Sequence, residues 1–386
     1  MWSKWKFARA VALAAALPAA IGGAWAQERP LPERSTSVDV GNAPLSLVKV
    51  DDNQSRSSAR GAAMVLDLDV SVTLRNTSPS RVRGITLRVT AQEAFMGGKG
   101  SVTRTSLNVG QGEAFTVPIQ MQLVRPTQVA TGPLVRVDLD GVLFDDFSFY
   151  GADKLNSRRI LTACEKEAQR DRAYFKQVLA RAGKDGLTKE ILASLARQSV
   201  LPSLDVRVGR PSGPTVSNAA LPAEHEARFA FLQFPDSPVR PLDGSARING
   251  NEARAPEIDV RNTSAKPVKY VEFGWVVSDP SGRQYMAASL PSSETNLYLP
   301  AGSQGVVRQD SSLRFSASGQ PVNIQKMTGF ISQVEFADGS VWVPSRQNLE
   351  NPLLEKVLPP SAEEQRLCQV YRRKGADGLI EELKKF

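Results

Sequence analysis

"MVLDLDVSVTLRNTSPSRVRGITLRV", residues 64–89, decides how this chain folds. From Met64 onward every second residue is apolar: Met64, Leu66, Leu68, Val70, Val72 and Leu74. The residues between them are mostly polar, with Asp67, Asp69, Ser71 and Thr73. Strict alternation gives a strand one buried and one wet face, the mark of an antiparallel sheet packed on one side. Asn76-Thr77-Ser78-Pro79 then predicts a turn, because an Asn side chain mimics a backbone turn and proline fixes its own φ. Ile85, Leu87 and Val89 resume the alternation on a second strand.

The same design recurs. "VRNTSAKPVKYVEFGWVV" at 260–277 again reads strand, Arg-Asn-Thr-Ser turn, strand, with Val271, Phe273, Trp275 and Val277 alternating. "VDLDGVLF" at 137–144 and "VEFADGSVWV" at 334–343 both read as a hairpin with Asp-Gly near the bend. A Ser-Arg follows each, at 157 and at 345, and each copy then runs into helical sequence broken by a Gly-x-Asp-Gly-Leu turn, "GKDGL" at 183–187 and "GADGL" at 375–379. In each turn the first glycine stops one helix and the aspartate can cap the next. Four landmarks in one order predict an internal duplication. About seven short strands per copy, in the first roughly 45–51, 62–75, 82–92, 101–108, 113–124, 133–140 and 142–150, predict a β-sandwich; a small barrel satisfies the same pattern.

The expected fold class is therefore mainly β with α, a tandem duplication of an immunoglobulin-like β-sandwich followed by a helical hairpin that closes it. Module 1 spans 39–200, with sandwich 39–152 and hairpin 157–199. A Pro-, Gly- and Ser-rich linker spans 201–227, and 27–38 reads as loose. Module 2 spans 228–386, with sandwich 228–345 and hairpin 361–386.

Residues 1–26 read as a secretory signal: Lys4, Lys6 and Arg9, a short apolar core, then "AWA". Export to the periplasm or the exterior is expected, with no transmembrane segment in the mature chain. Without those three cations the net charge falls from +8 to +5, spread along the chain, which does not point to nucleic acid. An oxidising compartment allows Cys164 and Cys368 to pair; otherwise each is a small buried apolar residue.

Chemical motifs are sparse. The single histidine, His225, stands between Glu224 and Glu226 in the linker, so a triad, a zinc site or an imidazole base is not expected. "FMGGKGS" at 95–101 lacks the spacing of a phosphate-binding loop. The doublets Asp51-Asp52 and Asp145-Asp146 aim neighbouring carboxylates to opposite faces of a strand. No cofactor, metal or catalytic residue is assigned. Aromatic residues are the candidate contacts: Tyr150 in "LFDDFSFYG" and Trp342 in "VWV" fall on the outer face unless the helices cover it.

The residues "LRNTSPSRVRGITLRV", "IDVRNTSAKPVKYVEFGWVVSDPSGRQ" and the later "LPAGSQ" at 299–304 resemble bacterial extracytoplasmic immunoglobulin-like sandwich repeats. That resemblance implies architecture and leaves the activity open. The expected function is a non-enzymatic secreted or periplasmic binding or adaptor protein that engages a protein or cell-envelope partner. A carbohydrate-binding protein using surface aromatics is the alternative, and a carboxylate-based hydrolase stands below it.

Overall fold

The computed structural model describes residues 29–30, 35–41, 44–93, 96–127, 133–200, 203–209, 224–291, 297–308 and 312–386. The expected signal, 1–26, lies outside the described residues. The chain is mainly β-sheet with a few helices. It divides into two compact units, Met1–Glu165 and Lys166–Phe386, the boundary falling within helix α1 (Ser157–Val200). Among the described residues no helix is long and apolar enough to cross a membrane.

The first unit contains β1 (Arg29–Pro30), β2 (Thr36–Asp39), β3 (Leu45–Asp51), β4 (Arg56–Arg60), β5 (Ala63–Asn76), β6 (Val82–Thr90), β7 (Lys99–Arg104), β8 (Ala114–Pro126), β9 (Val135–Phe144) and β10 (Phe149–Tyr150). In one sheet β5 pairs with β8 on one side and with β3 and β4 on the other, and β1 continues beyond β4. The other sheet runs β7, β6, β9, with β2 parallel and β10 antiparallel to β9. The alternating positions of β5 meet Ile85, Leu87 and Val89 of β6 in one core, as their period requires. Leu161 of α1 covers Gly84 on the outer face, where a built Cβ would lie 2.8 Å from its Cδ2.

The second unit contains β11 (Ser203–Gly209), β12 (His225–Arg228), β13 (Ala230–Phe231), β14 (Val239–Asn249), β15 (Glu252–Asn262), β16 (Val268–Ser278), β17 (Gln284–Pro291), β18 (Gln304–Arg308), β19 (Ser312–Ala317), β20 (Gln320–Pro321), β21 (Lys326–Phe336) and β22 (Val341–Trp342). Helices α2 (Arg346–Leu349), α3 (Pro352–Glu355) and α4 (Ala362–Lys384) complete it. Strand partners repeat those of the first unit. β12 lies beside β14 as β1 lies beside β4, and β13 runs parallel to β21 as β2 does to β9. β15 lies between β14 and the β18–β19 stretch as β5 lies between β3–β4 and β8.

The two Asn-Thr-Ser turns share three hydrogen bonds of their asparagine side chains. Asn76 and Asn262 are both fully buried. The Asn76 amide donates to the carbonyls of Ser80 and Val109 at 2.9 and 3.0 Å. The Asn262 amide donates to those of Lys266 and Leu299 at 2.8 and 3.0 Å. In each the side-chain oxygen accepts the N–H two residues on, at 2.9 Å. A buried amide so fully paired fixes the crossing from one sheet to the other.

Several expectations need correcting. The turn expected at Asp140-Gly141 is absent: β9 continues through both residues, with a register shift at Asp140 that leaves it unpaired with β6. The turn lies at Asp145–Ser148, with Phe147 at φ 63°, matching Ala337–Ser340 in the second unit. Asp140 is instead 2 % exposed and accepts from Lys154 N, Leu155 N and Ser157 Oγ at 3.0, 3.1 and 2.5 Å, which secures the start of α1. The segment 27–38, expected loose, carries β1 and β2, and the linker 201–227 carries β11 and the start of β12. β11 pairs parallel to β17 at Ser203–Leu204 and antiparallel to β19 over Asp205–Gly209, so it joins the two sheets of the second unit.

The helices also differ from expectation. Each Gly-x-Asp-Gly-Leu turn does break a helix, and the two breaks are near copies: Gly183 has φ 65°, ψ −164° and Gly375 has φ 68°, ψ −169°. Arg366 Nη1 donates to Glu382 at 2.5 Å, although sixteen helical residues would span about 24 Å, so α4 folds back on itself. Beyond the start of α1, where Leu161 covers Gly84, the stripes of the two bent helices bury one another. Phe175, Leu187 and Ile191 share one core with Leu367, Leu379 and Leu383, positions that correspond when the two turns are aligned. Fully burying each leucine contributes about 2 kcal/mol. A buried charged seam accompanies this core: Asp171 accepts from Arg170 Nε and Nη2 at 2.8 and 3.1 Å and from Ser361 Oγ at 2.5 Å, while Glu364 accepts from Arg197 at 2.9 Å and Arg346 at 3.3 Å. Cys164 and Cys368 form no disulfide. Cys368 belongs to the helical core, where its Sγ lies 3.5 Å from Ser194 Oγ and 4.0 Å from the Ile191 carbonyl.

Candidate functional site

The aromatic residues singled out from the sequence have different environments. Tyr150 is 45 % exposed on the two-residue strand β10, opposite Val142. Trp342 occupies the corresponding place on β22, opposite Val334, but is half-buried against Phe330, Leu354 and Val357. Helices α2 and α3 thus cover the face on which Trp342 stands. Trp275 is 2 % exposed and stacks on Phe273 with ring centroids 5.9 Å apart. Tyr298, which the sequence did not mark, is 64 % exposed.

A cleft of about 670 Å³ lies at one loop end of the second unit. One wall is the β16–β17 turn, with Asp279, Arg283 and Tyr285; the other is the β19–β20 turn with the residues just after it, including Ser318, Gln320 and Asn323. Both turns arise from local sequence. In "SDPSGRQ" the Asp279 Oδ1 accepts from Ser281 N and Oγ at 2.9 and 2.6 Å and from Arg283 N at 3.0 Å, and Gly282 supplies φ 81°. In "SASGQ" Ser318 and Gly319 take φ 50° and 79°, the left-handed pair that reverses β19 into β20.

Electrostatics separate the two charges of the cleft. Asp279 is consumed by its own turn, since Tyr285 Oη also donates to its Oδ2 at 3.3 Å. The Ser281 hydroxyl, with the backbone N–H groups beside it, holds the Asp279 carboxyl below its ordinary range, so it is ionised and internally satisfied at neutral pH. Arg283 lies with its guanidinium 5.3 Å over the Tyr285 ring, and among the described residues no carboxylate pairs with it. The cleft therefore offers one uncommitted cation, two side-chain amides and the Ser318 hydroxyl, beside the apolar Pro280, Pro321 and Val322. Such a set recognises polar or anionic groups. Sequence reasoning missed it. The signal available was modest: Asp-Pro-Ser-Gly and Ser-Gly turns in the second copy, with a longer loop than the first.

No protein-family model matches the chain, and no curated protein matches its sequence. Among solved structures, a β-glucosidase from Kluyveromyces marxianus aligns at 8 % identity and a TM-score of 0.14, over 71 % of this chain and 45 % of that one. A two-domain protein with unknown function from Bacteroides fragilis NCTC 9343 aligns at 7 % identity and a TM-score of 0.11, over 78 % of this chain and 93 % of that one. The chain thus spans less than half the length of the β-glucosidase. Likenesses at these scores define neither fold nor activity.

Proposed function

We propose that this is an exported, non-enzymatic binding or adaptor protein, built as a tandem duplication of an immunoglobulin-like sandwich followed by a helical hairpin. The duplication is supported by the recurring strand partners, the twin buried asparagines and the matched glycine hinges. Export is supported by the signal-like 1–26. The partner is a component of the cell envelope, engaged at the loop end of the second unit.

The observation that carries the binding reading is the cleft between the 279–283 and 317–323 turns, whose Arg283, Gln320 and Asn323 face it without a structural task. Loops held by a rigid sheet pair are where such folds place recognition. A photo-crosslinking residue at Gln320, set against one at the exposed Lys189, tests this in the organism's own envelope fraction. An adduct at 320 and none at 189 is expected; equal labelling at both sites rejects the cleft as the recognition surface. The platform reading, through Tyr150 and Trp342, has less support, since α2 and α3 half-bury Trp342.

A further inference from the structure

We infer that the cleft of the second unit binds a carboxylate-bearing saccharide, a uronic-acid unit seated with its carboxylate on Arg283. The inference rests on the binding reading above and names its ligand class.

Charge comes first. Asp279 stays ionised, but its oxygens already accept four donors from its own turn and strand, so the group of the cleft left to pair with an incoming charge is the Arg283 guanidinium. A guanidinium offers paired N–H donors matched to a carboxylate, and the Tyr285 ring beneath it limits its orientations. The remaining lining suits a sugar. Gln320 and Asn323 each present donors and an acceptor for ring hydroxyls, and Pro280 and Pro321 offer apolar surface to a ring's C–H face. About 670 Å³ falls within the range of small-ligand sites.

A peptide is disfavoured by the backbone. Peptide recognition by strand addition needs a free sheet edge. Here β17 pairs with β16 on one side and meets β11 at Met286 and Ala287 on the other, while β19 pairs with β11 over Ser312–Ser316 and with β15 over Ser312–Arg314. β20 adds two residues only. Recognition at this place therefore falls to side chains.

The test is calorimetric titration of the mature full-length chain with trigalacturonate and, as a neutral control, maltotriose. Trigalacturonate is expected to bind at least about tenfold more tightly, as a charge-assisted bidentate contact requires, with the preference shrinking as salt rises. Arg283→Gln should lower trigalacturonate affinity by about tenfold and leave maltotriose unchanged. Ala317→Arg, which fills the cleft, should abolish both; Gln320→Ala, on an exposed turn, gives a weaker loss and guards against misfolding of the first variant. Equal affinity for the two sugars, or an Arg283→Gln chain that still prefers trigalacturonate, overturns the inference. A hexaglutamate peptide separates the two levels. If it binds with sensitivity to Arg283→Gln while trigalacturonate does not, the saccharide is wrong and the binding cleft stands. If no probe binds and a crosslinker at 320 labels no partner, both fall.

Discussion

Asn76 and Asn262 show how much one side chain can determine. Each is fully buried and spends its amide on one carbonyl four residues on and on another more than thirty residues away. Replacing Asn262 by Ala removes its hydrogen bonds to the Lys266, Leu299 and Pro300 carbonyls, each of which keeps a second donor, and takes the acceptor from Ser264 N. The expected cost is about 2–4 kcal/mol, read from chemical denaturation, and Asn76→Ala should cost a similar amount. A loss below about 0.5 kcal/mol would mean that the turn holds without its knot. Cys368 makes a second prediction. Burial pushes its thiol up from the ordinary 9.0. The folded state therefore keeps the proton where the unfolded chain releases it, so this contribution to stability is intact below pH 9.0 and is lost as pH rises beyond it. Iodoacetamide at pH 8 should label Cys368 only as fast as the second unit opens, a rate that mass spectrometry of the 367–372 peptide measures.

Among elements, the Gly-x-Asp-Gly-Leu hinge was legible residue by residue. Gly183 and Gly375 take the left-handed φ, Leu187 and Leu379 are fully buried, and the second glycines, Gly186 and Gly378, have no room for a Cβ beside Ala182 and Lys374. Asp185 and Asp377 stand in the first turn beyond the break, where a negative charge meets the helix N-terminus favourably. Gly375→Ala should cost about 1–2 kcal/mol through strain at φ 68°, and Gly378→Ala should cost as much through crowding, both measured as shifts in thermal midpoint. Strand β11 was not legible. "SLDVRVG" does alternate Leu204, Val206 and Val208, but the prolines at 202, 211 and 214 speak for an extended linker. Its pairing with Phe315 and Leu313 could be seen only once both sheets stood in place. Val206→Asp puts a charge against the second core and should lower the stability of the second unit by about 1–3 kcal/mol, with hydrogen exchange in β5 of the first unit unchanged.

For the whole molecule, the helical core changes which parts of the chain stand or fall together. Leu187 and Leu379 lie 192 residues apart yet share one cluster. Leu379→Ala should cost about 2–5 kcal/mol and speed hydrogen exchange at 175–195 as well as in α4. If exchange rose in α4 alone, the two helical segments would be independent, each serving its own sandwich. The sequence by itself determined the strand alternation of β5 and β6, the asparagine turns and the glycine breaks, because each depends on the stereochemistry of a few neighbouring residues. Tertiary structure decided the rest. An amphipathic stripe requires that a face be buried without naming what buries it, so the helices could close a sandwich or each other. An edge strand is defined by the neighbour it finds. The cleft arises from turns some forty residues apart, and no property of either turn alone announces the space between them.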